Sequence, residues 1–301
     1  MFHLSHGCPI TLIDLHIHST YSDGTFSPQE IVVAAQQRGI RVLSITDHDT
    51  MSAYPEVIGV GARHQVEVVP GIEITAHHQQ HSLHILGYGL DPGAQALSTG
   101  LREIQQARCR RNEQILAKLQ GFKIAIGCED LPVGEGQVGR PHIARILMSK
   151  GVVRSEQEAF AKFLRKDGAA YVQRQLLPVG QAMRMIIEAG GLPVLAHPGS
   201  LKMDEAELGR VIQGLMAEGL AGVEVYHPMN GDMLRRFLEK ITATCGLLGT
   251  GGSDFHGRIG DRAPLGESGK RRAVPMGLLP ALKSRLRMDD DALHVAGDDV
   301  S

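Results

Sequence analysis

Apolar residues recur along this chain with two different periods. Short apolar runs fall at residues 11–15, 40–46, 66–69 and 83–86, and again at 192–196, 222–226 and 247–250. Each has the length of a strand and is dominated by Val, Ile and Leu, the pattern of a strand buried on both faces. Between most of them the apolar positions switch to helical spacing. Ser27-Pro28-Gln29-Glu30 supplies an N-cap and a proline at the first helical position, Ile31, Val32, Ala34 and Ala35 give an apolar face, and Gly39 a stop. Residues 51–64 predict a second helix interrupted by Pro55, and 178–189, 204–217 and 231–244 predict three more. Seven strands, mostly followed by helices, predict an α/β fold built as a parallel β/α barrel or a close relative.

Residues 94–177 break this alternation. The Gln/Arg-rich stretch 101–119 carries Leu101, Ile104, Ala107, Ile115, Leu116 and Leu119 on one helical face, and 141–149 and 155–164 predict shorter helices, with no strand pattern between them. We expect a helical insertion at 94–177, packed over the mouth of a main domain formed by 11–93 and 178–288. The acidic, apolar-poor stretch 289–301 reads as a loose tail.

Composition removes several classes of function. Hydrophobic residues make up 43% and charged residues 21%, and the net charge of -2 provides no basic field for duplex DNA. Cys8, Cys109, Cys128 and Cys245 form no CxxC pair, so they read as small buried or reduced thiols and not as zinc ligands. The first residues carry no Lys or Arg and lead into no long apolar region, so no signal peptide is expected, and no stretch is long and apolar enough to span a bilayer. The expectation is a cytoplasmic protein without a membrane partner.

The chemistry lies at the strand ends. His16 and His18 alternate at the end of the first strand, so both project to one face. Asp23 follows closely. Asp47-His48-Asp49 follows the second strand, Gly71-Ile72-Glu73 the third, and His84 lies on the fourth. His197-Pro198, Tyr226-His227-Pro228 and Ser253-Asp254-Phe255-His256 follow the last three. In a β/α barrel these ends converge on one mouth. Imidazole and carboxylate suit zinc, manganese and iron, and more than six such groups exceed the needs of one ion. The surplus predicts two or three divalent ions bridged by a carboxylate such as Glu73, an arrangement suited to hydrolysis of a phosphate ester. His77, His78 and His81 fall in a hairpin and read as solvated; His227 is open between substrate contact and filler.

The set His16-x-His18 with Asp23, Thr46-Asp47-His48, Gly71-Ile72-Glu73, His84, Ala196-His197-Pro198 and Ser253-Asp254-x-His256 resembles the polymerase and histidinol phosphatase (PHP) superfamily. The resemblance covers nearly the whole chain except the tail, with the first ten residues as an extension. It implies a distorted seven-stranded, TIM-like β/α barrel with a metal cluster at its C-terminal mouth. The insertion, with Gly139-Arg140-Pro141-His142-Ile143-Ala144-Arg145, is similar to that of one branch, the bacterial 3',5'-nucleoside bisphosphate phosphatases and 5'-to-3' exoribonucleases. The resemblance implies three overlapping metal positions: His16, His18, Glu73 and Asp254 around one ion, Glu73 with His84 and His197 at a second, and Asp23, His48 and His256 at a third. Manganese is the first choice of metal, with iron or zinc as alternatives.

On this reading the enzyme removes the 5'-phosphate of a nucleoside 3',5'-bisphosphate, and short RNA is a further substrate of the same chemistry. Attack comes from a metal-bound hydroxide with no phosphoenzyme, and His227 is a candidate proton donor to the leaving oxygen. The second phosphate needs a recogniser, and the fork of an arginine suits it; Arg140, Arg145 and Arg174 are the candidates. Lys270-Arg271-Arg272 reads as an exposed charge run. The alternatives are a histidinol-phosphate phosphatase, disfavoured by the arginine-bearing insertion, and a metal-binding module without turnover, disfavoured by the intact motifs.

Overall fold

The computed structural model describes residues 12–132, 136–257 and 263–287. Thr11, Cys8 and the expected tail lie outside them. Strand β1 (Leu12–Ile17) leads through helix α1 (Pro28–Gln37) to β2 (Ile40–Ile45), which lies parallel to it. The signals at 27–30 act as expected. The Ser27 hydroxyl accepts from the Glu30 amide, and the Glu30 carboxylate accepts from the Ser27 amide at 2.8 Å. Gly39, at φ +76°, takes the left-handed turn past the helix end that a Cβ would penalise. Helix α2 (Tyr54–His64) is shorter than expected, and Pro55 sits in its first turn, where a missing amide costs nothing.

Among the described residues, nine strands form two sheets where the sequence predicts one parallel set of seven. β1, β2 and β3 (Glu67–Val68) make the first, in the order β1-β2-β3. The second has the order β6-β4-β5-β7-β8-β9, with β4 (Gly71–His78), β5 (His81–Tyr88), β6 (Leu177–Pro178), β7 (Leu192–Leu195), β8 (Gly222–Tyr226) and β9 (Leu248–Gly251). β5 runs antiparallel to both β4 and β7. The cause is the two-residue link Gln79-Gln80, too short for a crossover and long enough only for a hairpin. Single bridges, Ile17 to Phe255 and His48 to Glu73, connect the sheets. The second shows that β4 begins about where β2 has ended, so Glu73 stands inside a strand and not in a loop after one.

Ile13, Leu15, Val42, Leu86, Val194 and Leu248, from strands of both sheets, share one core, and helix α9 (Leu278–Leu286) closes it with Leu282. Helices α6 (Val179–Glu188) and α7 (Glu205–Ala217) pack on the outer face of the larger sheet, where α8 (Asp232–Cys245) also contributes. Helix α3 (Gln95–Gly121) belongs to two cores: Leu97, Leu101 and Ile104 pack with β4 and α6, whereas Ile115, Leu116 and Leu119 pack with α4 (Arg140–Ser149) and Leu164. The helix expected over 155–164 is only α5 (Glu156–Ala159), followed by a single π turn over Phe160–Leu164. No helix among the described residues is long and apolar enough to cross a membrane. Cys109, Cys128 and Cys245 are free thiols, the first two exposed.

Candidate metal centre

Alternation along β1 sends Asp14, His16 and His18 to one side, and all three are buried. Nε2 of His16 lies 3.5 Å from Glu73 Oε2 and 3.4 Å from Asp254 Oδ1; Nε2 of His18 lies 3.2 and 3.3 Å from the same two oxygens. The other Glu73 oxygen, Oε1, lies 2.7 Å from His84 Nδ1 and 2.9 Å from His197 Nε2. His48 Nδ1 lies 2.9 Å from Glu73 Oε2, and His256 Nε2 lies 3.2 Å from Asp23 Oδ1. Side chains from six strand ends thus meet, with Glu73 at the centre.

Close backbone approach makes this possible. A Cβ on Gly252 would stand 2.3 Å from the Cβ of His16, and one on Gly24 would stand 2.3 Å from the His18 carbonyl oxygen. Glycine at these positions lets the loops bearing Asp254 and Asp23 close onto β1. Three non-glycine residues here adopt positive φ: Asp49 at +57°, His197 at +28° and Asp254 at +55°. Such strain persists where surrounding contacts over-determine it, and it gathers at functional sites.

The donor set fits metal ions. Nε2 of His16 and His18, Nδ1 of His48 and Oε2 of Glu73 are buried and complete no hydrogen bond of good geometry. Outer partners turn the lone pairs inward: His16 Nδ1 bonds Glu224 Oε1 at 2.9 Å, and His256 Nδ1 bonds the Asp254 carbonyl at 2.8 Å, leaving each Nε2 to face the cluster. Three to four donors lie within 4.8 Å of one another in several overlapping groups, among them His18, Asp23, His48 and His256. Burial opposes charge on Glu73, yet His84, His48 and His16 hold its carboxyl well below the usual range. Burial likewise opposes a charged His18, but Asp254 and Glu73 push it up to about 10. The pit is strongly attractive to cations.

His227 stands apart. It is buried, its Nδ1 accepts from the Met229 amide at 3.1 Å, and its Nε2 faces Asp254 Oδ2 at 3.4 Å. The Met229 contact favours a neutral ring with its proton on Nε2, and with His16 and Glu224 the ring also forms one of the groups able to hold an ion. Sequence reasoning missed two buried carboxylates. Glu224 takes His16 and also the His197 amide at 2.7 Å. Asp14 takes the Ser253 hydroxyl at 2.6 Å and the Gly266 amide at 2.7 Å, fastening the Asp254 loop to β1. Each lies in an apolar strand, an oddity that was the available signal.

The centre floors a cavity of about 1070 Å³, roofed by Met148, Arg154, Ser155 and Gln157 of the insertion. None of the three expected arginines lines it. Arg140 donates to the Leu164 carbonyl at 3.0 Å and its guanidinium lies 5.7 Å from the Phe160 ring centre. Arg145 donates to the Asp23 carbonyl at 2.8 Å, and Arg174 pairs with Asp49 at 2.5 Å. The exposed Arg154, not singled out in the sequence, is the arginine in the lining. His77 and His78 lie at the hairpin tip away from the centre, and His81 is 3.8 Å from Glu207. Lys270 and Arg272 pair with Asp232.

An α/β fold with this cluster of His, Asp and Glu under a deep cleft defines a metal-dependent phosphoesterase. The chain belongs to the PHP domain family, whose model matches residues 14–164. A 3',5'-nucleoside bisphosphate phosphatase from Chromobacterium violaceum is 34% identical over 249 residues, covering 81% of this chain and 87% of that protein. A 5'-3' exoribonuclease from Haemophilus influenzae is 30% identical over 244 residues, covering 81% and 89%. The crystal structure of a protein from Bifidobacterium adolescentis, described as a metal-dependent phosphoesterase, superposes with a TM-score of 0.81 at 28% identity, covering 92% of this chain and 97% of that one.

Proposed function

We propose that the protein removes the 5'-phosphate of nucleoside 3',5'-bisphosphates, and that the same chemistry releases 5'-nucleotides from short RNA. The observation that carries this is the convergence of His16, His18, Asp23, His48, Glu73, His84, His197, Asp254 and His256 beneath a cavity of about 1070 Å³. That volume is generous for a phosphate alone and suits a nucleotide. The Chromobacterium relative's name adds the substrate class. We read seven of the strands, β1, β2, β4, β5, β7, β8 and β9, as a distorted barrel around the shared core, and residues 94–177 as the substrate-recognition insertion.

His16, His18, Glu73 and Asp254 would hold one ion, Glu73, His84 and His197 a second, and Asp23, His48 and His256 a third, with manganese first among candidates. When bound, such ions neutralise phosphoryl charge and bring the pKa of a water toward neutrality. The chain's residues do the rest. Glu224 keeps the His16 proton on Nδ1. His227 is the candidate proton donor to the leaving ribose oxygen. Arg154, the arginine that lines the cleft, is the candidate reader of the 3'-phosphate, whereas Arg140, Arg145 and Arg174 are held by Leu164, Asp23 and Asp49 outside the lining. Phosphate release with manganese from adenosine 3',5'-bisphosphate, histidinol phosphate and a short 5'-phosphorylated RNA tests the reading. Preference for histidinol phosphate, or no turnover of any of the three, would overturn it.

A further inference from the structure

The residue after His48 has an unusual set of partners. Asp49 is fully buried and left-handed. Its Oδ2 accepts from Arg108 and, at 2.5 Å, from Arg174, and its Oδ1 accepts from the Thr75 amide at 3.1 Å. Its carbonyl accepts from Gln105 Nε2 at 3.0 Å, and its own amide donates to the Glu73 carbonyl at 2.9 Å. Gln105 and Arg108 come from α3 at one end of the insertion, and Arg174 from the other end. Thr75 and Glu73 belong to β4. One carboxylate therefore ties both ends of the insertion to the strand that carries the central ligand.

We propose that Asp49 is a positioning residue that couples the helical insertion to the metal centre through the His48 turn. A non-glycine residue at φ +57° holds that conformation only against resistance, and Asp tolerates it better than most. The two guanidiniums and three backbone contacts supply the restraint. The turn they fix sets His48 Nδ1 at 2.9 Å from Glu73 Oε2. Removing the guanidinium–carboxylate pairs frees the turn, and His48 loses its aim. The insertion thus bears on metal affinity through a residue that touches neither metal nor substrate.

The inference rests on the metal-centre reading above, and its test uses metal binding alone. Full-length chain, stripped with chelator, is titrated calorimetrically with Mn²⁺ as wild type, Asp49→Asn and Arg108→Gln, with folding checked by circular dichroism and melting temperature. Both variants should weaken one Mn²⁺ equivalent about 10- to 100-fold, the usual loss when an outer-shell support is removed, and leave the others as in wild type. Wild-type affinity for every equivalent, or equal weakening of all of them, overturns the proposal. Should Asp49→Asn fail to fold, Arg108→Gln decides alone, because Arg174 still neutralises the carboxylate. A wild-type chain that binds no Mn²⁺ would instead remove the metal-centre reading itself, and the substrate panel is read independently of both.

Discussion

Glu73 shows what one buried carboxylate does when five histidines face it: Oε1 meets His84 and His197, and Oε2 meets His16, His18 and His48. His16→Ala and Asp254→Ala should each abolish phosphate release while far-UV circular dichroism and melting temperature stay near wild type, since neither belongs to an apolar core; a collapse of the fold would contradict this. Arg154→Ala should cost a bisphosphate on the order of 1.5–3 kcal/mol, roughly 10- to 150-fold in kcat/KM, and a plain 5'-mononucleotide far less. Equal losses on both substrates would remove Arg154 from recognition. At this scale the sequence was legible where chemistry repeats in register. His16-x-His18 announces a shared face because strands alternate. Glu224 was not legible, since nothing in Val223-Glu224-Val225 says which distant imidazole the carboxylate meets.

Elements were readable wherever local rules act alone. The Ser27 capping signal acts as the sequence indicates, Asp204 caps Glu205–Ala217 within the expected helix, and Ser27→Ala should lower stability by about 1 kcal/mol in urea unfolding. Tertiary demands hid the rest. β4 continues past the end of β2 to carry Glu73 into the mouth, and the short link to β5 forces an antiparallel pair into a set expected to be parallel. Helix α9 escaped notice because Pro280 interrupts its apolar run; the proline lies within the first turn, where it is tolerated. The Asp49 clasp between elements makes a pH-dependent contribution. Burial opposes its charge, but Arg108 and Arg174 hold its pKa to about 2 against 3.8 unperturbed. The depressed value means a contribution of about 2 kcal/mol that is complete above the unfolded pKa and lost as pH falls through about 2. The stability gap between wild type and Asp49→Asn should therefore be constant from pH 7 to about 5 and shrink between about 4 and 2; a constant gap down to pH 2 would show that the carboxylate's charge is not what stabilises.

For the whole molecule, the two sheets matter because together they bring remote strand ends to one point, which is why 1D spacing foretold the cluster but not which residue sits beside which. The donor surplus predicts that chain prepared with manganese retains more than one ion, and elemental analysis giving at most one per chain would count against the overlapping groups. The proposed activity carries an expectation about the route of hydrolysis. A covalent route needs a nucleophile beside a base and open to the phosphorus. The histidines facing the cleft already share Glu73 or Asp254, and the serines at the cluster are buried with their hydroxyls donating to carboxylates, Ser253 to Asp14 at 2.6 Å and Ser19 and Ser22 to Asp47. Ser200 lines the cleft, but its hydroxyl meets His197 Nδ1 at 3.0 Å while that ring's other nitrogen is bound to Glu73, so accepting the serine proton would compete with its place in the cluster. Water is left as the nucleophile, and phosphorus should pass to it in one displacement. Single-turnover hydrolysis in ¹⁸O-water should then put one labelled oxygen into the released phosphate and none into the nucleoside product. Label in the nucleoside would mean cleavage of the carbon–oxygen bond, and a trapped phosphohistidine or phosphoserine would mean two steps; either result would rule out direct attack.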